Sequence, residues 1–353
     1  MRASGIPPFG RFVARALLLG SVLCGAVQAQ GVLNVYSARH YPSDEALYAA
    51  FTQQTGIRIQ RVDADDAGLV ARLKAEGQQS PADVVLMVDA SRLWRAEQDG
   101  LFAPMQDAVL QARVPRALQG QDQGQGPRWW GISTRARVVV YDPKRVKPEQ
   151  VATYQGLADP ALKGLLCTRS GAHPYNLSLF GAYLAHPNEA RARDWLGGLV
   201  ANMARPPRGG DTDQIRGVAS GECGVALANS YYVARLMRSP RPADEQVMAK
   251  VALAYPSLQG QGTHLNVAGM AMAAHAPHPE AARAFMRFLV SDAAQRHLAE
   301  ANNEWPVVPA VTFANPALQA MRAPAWRPDP LPVAQYAAQQ ALTQRLLDRV
   351  GYR

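Results

Sequence analysis

From residue 32 onward the chain alternates short apolar runs with longer amphipathic stretches. Val32-Leu33-Asn34-Val35-Tyr36 has the length and composition of a strand, and a polar turn follows it. The next stretch predicts a helix. Pro42 suits its first turn, Asp44 and Glu45 favour its positive end, Ala46, Leu47, Ala50 and Phe51 form an apolar stripe, and Gly56 ends it. The unit repeats with a strand over 57–62, a helix over 66–76 carrying Leu69, Val70 and Leu73 inward, a strand over 83–88 and a helix over 91–98 that stops at Gly100.

Residues 119–128 are polar and rich in Gly and Gln, which marks a loop or a passage between domains. A second set of elements begins at Trp129, with strands over 132–141, 164–168, 224–228 and 251–255 and helices near 176–185, 188–200 and 211–219. An apolar stretch over 265–274 and helices over 279–290 and 292–302 follow, and the chain is expected to return there to the first domain. Strands alternating with helices of this length predict an α/β fold with mostly parallel sheets covered on both faces, whose ligands bind beyond the carboxyl ends of the strands.

The N-terminus changes the picture of where this fold works. Arg2, Arg11 and Arg15 precede an apolar stretch from Ala16 to Val27, and Val27-Gln28-Ala29 offers a small-residue cleavage site, so residues 1–29 read as a secretory signal. Leu23 stands where a lipidated Cys24 would need a small residue, so Cys24 belongs to the discarded leader. No later stretch approaches the roughly 18 apolar residues of a membrane span. At about 150 residues per domain, the remainder of the 353-residue chain makes two domains with a cleft between them.

The formal charge of +9 includes the three leader arginines, leaving a modest basic excess without the Lys/Arg blocks that track nucleic acid. Cys167 and Cys223 enter an oxidising compartment, where one disulfide is expected and two buried thiols are the alternative.

Three segments place tyrosine with histidine or polar residues at predicted strand ends: Tyr36-Ser37-Ala38-Arg39-His40-Tyr41, Thr168-Arg169-Ser170-Gly171-Ala172-His173-Pro174-Tyr175-Asn176 and Asn229-Ser230-Tyr231-Tyr232. Adjacent tyrosines inside a strand would face opposite sides, so a Tyr-Tyr pair at a strand-to-helix turn is one of few ways to aim both phenols into one cleft. Phenolate is a hard oxygen donor suited to a small trivalent cation, and His40 adds a borderline nitrogen. Four phenolates and one imidazole around Fe³⁺ leave a single net negative charge, which limits the cost of burying the ion. Any one of these tyrosines alone reads as a half-buried aromatic with a wet hydroxyl.

At these residues the sequence resembles the ferric-ion-binding proteins of periplasmic ABC importers. The likeness extends through Ser80-Pro81-Ala82-Asp83-Val84, Arg135-Ala136-Arg137-Val138, Gly221-Glu222-Cys223, Gly262-Thr263-His264-Leu265-Asn266 and Asn302-Asn303-Glu304-Trp305-Pro306. It implies a two-lobed periplasmic binding protein fold of type II, each lobe a mixed or mostly parallel sheet flanked by helices. Lobe 1 would comprise 30–127 plus 256–302, and lobe 2 would comprise 128–255 plus 303–353. It implies a ferric ion held by His40, Tyr41, Tyr175, Tyr231 and Tyr232, delivery to an inner-membrane ABC permease, and a monomer in the periplasm.

Some members of this family hold a small anion such as carbonate beside the iron, and Arg39 and Arg135 are the candidates here, with ion pairing as their alternative use. Tyr36 stays in the core of its strand. Relatives usually carry small polar residues before Tyr175, where this chain has Ala172-His173-Pro174; His173 could approach the metal or cap the turn, and the cap is the expectation.

The rival cargo for the same scaffold is a polyamine, thiamine or an oxyanion. A cationic organic ligand prefers an aromatic cage lined with carboxylates, and the acidic residues here are scattered. An exported hydrolase would be a different class altogether. The chain has neither a G-x-S-x-G elbow nor an H-E-x-x-H helix, and prolines around His275 and His278 mark a surface loop.

Overall fold

Among the described residues the chain forms nine strands, and helices alternate with most of them as the hydrophobic pattern predicts. The computed structural model describes residues 1, 5, 31–39, 41–186, 189–322 and 326–353. Most of the predicted leader, with Cys24, lies outside the described residues, and so does His40. In chain order the strands are β1 Val32–Ser37, β2 Arg58–Asp63, β3 Val84–Met87, β4 Trp130–Tyr141, β5 Leu166–Cys167, β6 Val225–Asn229, β7 Ala252–Ala254, β8 Leu265–Met272 and β9 Trp305–Pro306. Among the described residues no helix is long and apolar enough to cross a membrane.

The strand order is β2-β1-β3-β8-β4-β6-β5, with β7 and β9 also paired to β4. β1 is parallel to both β2 and β3, β5 is parallel to β6, and β8 runs antiparallel to β3 and β4. β4 is shared by two sheets. Trp130 to Ala136 pair with β8, and Arg137 to Tyr141 pair with β6 and β7. The 119–128 segment precedes this crossing strand, and the Asp122 carboxylate braces it by accepting the Gly124 and Gly126 amides at 2.8 Å.

The sheets are covered on both faces, as continuous apolar strands require. Val84 and Leu86 of β3 enter one core cluster with Leu33, Val35, Phe51 and Phe285, while Val85 and Met87 enter another with Leu69, Leu93 and Phe102. Burying each such side chain contributes about 1.5–3 kcal/mol, before the entropy of ordering it is set against it.

Local chemistry sets the helix ends. Asp65 accepts the Gly68 amide at 2.7 Å to start the helix Asp66–Glu76, and Gly56, at φ 74°, closes the helix Asp44–Thr55 in the left-handed region that favours glycine. Pro42 falls before that helix rather than in its first turn, inside the turn that the Asp44 amide closes on Tyr41 O at 3.0 Å.

Candidate metal centre

Each tyrosine of the expected set follows the carboxyl end of a strand. Tyr41 lies between β1 and the helix Asp44–Thr55. Tyr175 is the second residue of the helix Pro174–Ala185, where Pro174 occupies the first position and the His173 ring Nδ1 accepts the Tyr175 amide at 3.2 Å. Tyr231 and Tyr232 are the second and third residues of the helix Ser230–Met237, which starts directly after β6. A helical turn of about 100° per residue lets two adjacent side chains share one cleft, which a strand forbids.

The phenols meet. Tyr175 and Tyr231 hydroxyls are 3.1 Å apart, the Tyr41 and Tyr231 rings meet edge-on with centroids 6.3 Å apart, and the Tyr231 and Tyr232 rings lie 4.2 Å apart. Tyr36 is elsewhere, buried in β1 with its hydroxyl donating to the Glu76 carboxylate at 2.8 Å.

Burial pushes the Tyr41 and Tyr231 phenols well above their ordinary pKa; the Glu304 carboxylate adds to the rise at Tyr41, and the neighbouring tyrosines add to it at Tyr231. Burial lifts Tyr175 to about 12 against the opposing pull of the Arg135 charge. These phenols are therefore protonated at neutral pH in the metal-free protein. His173 is pushed down to about 3 by burial and by Arg169 and Arg137, so it stays neutral and keeps its acceptor role at the turn.

Arginines surround the cluster. The Arg39 guanidinium lies 4.9 Å from the Tyr41 ring centre, Arg135 and Arg169 lie 5.4 and 5.1 Å from that of Tyr175, and Arg235 lies 5.4 Å from that of Tyr232. Arg39 and Arg135 differ sharply in how their donors are used. Arg39 Nε donates to Asp44 at 2.8 Å and its Nη1 to Glu304 at 3.1 Å, all three side chains being buried. Arg135 is 1 % exposed, and its Nε, Nη1 and Nη2 have no hydrogen-bond partner among the described residues. A buried cation with no acceptor is expensive, so this guanidinium is suited to a negative group placed beside the tyrosines.

Among the described residues no group of three His, Cys, Asp or Glu side chains is arranged to hold a metal ion. The oxygen donors gathered in one place are phenols. Two cavities flank them: one of about 360 Å³ reaches Arg92, Arg169, His173, Tyr175 and Tyr232, and one of about 400 Å³ reaches Tyr41, Ser43, Tyr231, Tyr232 and Arg235. A larger cavity of about 590 Å³, at Gln119–Gln123 and Pro332, holds none of the tyrosines.

Cys167 and Cys223 form a disulfide with Cα atoms 5.8 Å apart, tying the end of β5 to the turn before β6. His278 is exposed and lies 3.1 Å from the buried Asp83 carboxylate, and His275 is exposed.

Two neighbours of the tyrosines have no role predicted from the sequence. Glu304 accepts from Arg39, from Ser133 Oγ at 2.8 Å and from the Tyr41 hydroxyl at 3.4 Å. Asp211 sits beneath the Tyr175 and Tyr231 turns. The run Asn302-Asn303-Glu304-Trp305-Pro306 carries part of the family likeness, but the contact of Glu304 with Tyr41 spans more than half the chain and leaves no local signal.

A family model described as bacterial extracellular solute-binding protein matches residues 46–323. Iron uptake protein A1 of Synechocystis is 44 % identical over 282 residues, 80 % of this chain and 77 % of that protein. Iron uptake protein A2 of the same organism is 42 % identical over 339 residues, 96 % of this chain and 94 % of that protein. The structure of Trichodesmium FutA (IdiA) in complex with iron and citrate superposes with a TM-score of 0.85 at 40 % identity, covering 92 % of this chain and all of that one.

Proposed function

Since the chain belongs to the bacterial extracellular solute-binding proteins, we propose that it captures a ferric ion between two lobes and delivers it to the inner-membrane permease of an ABC importer. The ligands are Tyr41, Tyr175, Tyr231 and Tyr232, with His40 as the fifth donor. The observation that carries this reading is the approach of the Tyr175 and Tyr231 hydroxyls to 3.1 Å inside a cluster of four phenols. It is supported by the relatives named for iron uptake and by the related structure with iron and citrate.

Each phenol gives up its proton as it takes a place on Fe³⁺, and the cation then offsets the charge that burial otherwise penalises. A small anion such as carbonate is assigned to Arg135 rather than Arg39, whose donors already serve Asp44 and Glu304. A polyamine or thiamine fits less well, because four arginines crowd the tyrosines where a cationic ligand needs carboxylates.

The lobes are read as 30–127 plus 256–302 and 128–255 plus 303–353, joined through β4 and through the return from β7 to β8. The protein acts as a binder without catalysis, as a monomer, in the periplasm, after cleavage of its leader near Ala29.

Leader-free protein stripped of metal and titrated with ferric nitrilotriacetate should take up one ion per chain and develop a visible absorption band. A protein that stays colourless and takes up no iron would overturn the reading.

A further inference from the structure

We propose that the buried pair Arg137–Asp211 is the positioning element that sets the spacing of the Tyr175 and Tyr231 phenols. The inference rests on the tyrosine site proposed above and concerns what holds that site in shape. Arg135 and Arg137 stand two residues apart on β4 and so point to the same face of the strand, yet they are used in opposite ways. The Arg135 nitrogens have no hydrogen-bond partner among the described residues, whereas both terminal nitrogens of Arg137 are engaged.

Arg137 Nη1 donates to Asp211 Oδ2 at 2.6 Å and to Asn229 Oδ1 at 3.1 Å, and Nη2 donates to Asn176 Oδ1 at 2.8 Å. Asp211 Oδ2 also accepts the Asn229 amide at 2.7 Å, and its Oδ1 accepts from Arg169 Nη1 at 3.3 Å. Arg137, Asp211, Asn176 and Asn229 are all 0–1 % exposed.

The two asparagines sit where this network meets the tyrosines. Asn176 follows Tyr175 directly, and its amide donates to Thr168 Oγ1, Arg169 O and Ser170 O, each at 3.1 Å, fixing the turn that leads into the Tyr175 helix. Asn229 ends β6 two residues before Tyr231, and Ser230 between them accepts the Ala136 amide of β4 at 3.1 Å. One ion pair thus holds both turns at once. From the far side the same loop is backed by Tyr352, whose hydroxyl donates to Thr168 Oγ1 at 3.0 Å and whose ring leaves no room for a side chain at Gly171, where an added Cβ would lie 2.8 Å away.

A fully buried ion pair is a weak source of stability, since apolar residues of equal volume hold a core together as well. What apolar residues cannot supply is a fixed direction between two turns. A buried network of charge-assisted hydrogen bonds that reaches both turns does supply it, and residues that orient metal ligands in this way typically account for 10–100-fold in metal affinity.

The test uses the leader-free protein with the double substitution Arg137→Met/Asp211→Leu, which removes both charges together, and with Asn176→Ala, which keeps the pair and cuts its link to the Tyr175 turn. Two readouts are taken: the Tyr175–Tyr231 oxygen separation in crystals of the metal-free variants, and ferric affinity with the position of the visible band. The oxygens are expected to move apart by about 1 Å, the band to shift, and affinity to fall roughly 10–100-fold in whichever variant folds.

A merely structural role would lower the melting temperature and leave phenol spacing and band position at the parent values. That outcome in Asn176→Ala, or in the double variant, overturns the proposal. If the parent protein takes up no ferric ion, the ferric reading fails on its own, and the metal-free phenol spacing still decides between positioning and structure.

Discussion

The side of the site built on β5 and β6 supplies three phenols, Tyr175, Tyr231 and Tyr232, whereas the side built on β1 supplies Tyr41. The first side is braced by the Cys167–Cys223 disulfide and by the Arg137–Asp211 network, and its Tyr175 and Tyr231 oxygens are already within hydrogen-bond reach. On the second side, Tyr41 approaches Glu304 at 3.4 Å, and that carboxylate is shared with Arg39 and Ser133. On the function proposed above, the difference predicts an order of events: an incoming ion meets a preformed set of phenols first, and Tyr41 completes the shell as the proposed lobes close.

The largest expected effect comes from pH, because both sides must lose protons. The phenols are protonated at neutral pH, with Tyr175 lifted to about 12 and Tyr41 and Tyr231 higher than usual, so ferric binding releases protons and weakens as pH falls. Each phenol that gives up its proton to bind the ion adds about one decade of lost affinity per pH unit, read by competition with a chelator of known pH dependence. The metal-free fold has the opposite sign. A phenol whose pKa is raised in the fold favours folding below pH 10 and loses that contribution as pH rises toward 12, so chemical denaturation of the apo protein should become easier only in alkali. A ferric affinity independent of pH would break the comparison at its root.

Next in size is the brace itself. Replacing both cysteines by serine should cost about 2–4 kcal/mol of folding stability, read from the urea midpoint of the apo protein. An unchanged midpoint would mean that the β5–β6 side owes its order to something else. The smallest effects separate the two sides directly. Tyr231→Phe keeps the ring and deletes a donor of the preformed set, and should cost about 100-fold in ferric affinity, whereas Tyr41→Phe should cost about tenfold and mainly speed iron loss. Equal losses would remove the proposed order of events.

Much of this was legible along the chain because local signals carried it. Asp65 and Gly77 bracket the helix Asp66–Glu76, and Asp292 and Asn302 bound the helix that the pattern assigns to them. The α/β alternation follows from period and spacing. Helix Ala108–Arg113, helix Pro242–Met248 and the helices beyond Pro316 went unassigned; the first two are only six and seven residues long and present little periodicity. Long-range pairings left no trace in the sequence. β4 changes partners at Ala136 and Arg137, Glu304 reaches Tyr41 and Asp211 reaches Asn229, and each depends on segments that only the folded sheet brings together. The tyrosines stood out because they recur at strand ends, while the carboxylates that support them are ordinary acidic residues until the fold buries them.

The central claim is that phenolates hold the ion, and resonance Raman spectroscopy of the iron-loaded protein tests it most directly. Excitation within the visible band should enhance tyrosinate ring modes, and their intensity should fall in Tyr175→Phe and again in Tyr175→Phe/Tyr231→Phe. An iron-loaded protein whose spectrum shows no enhanced phenolate modes would contradict the account.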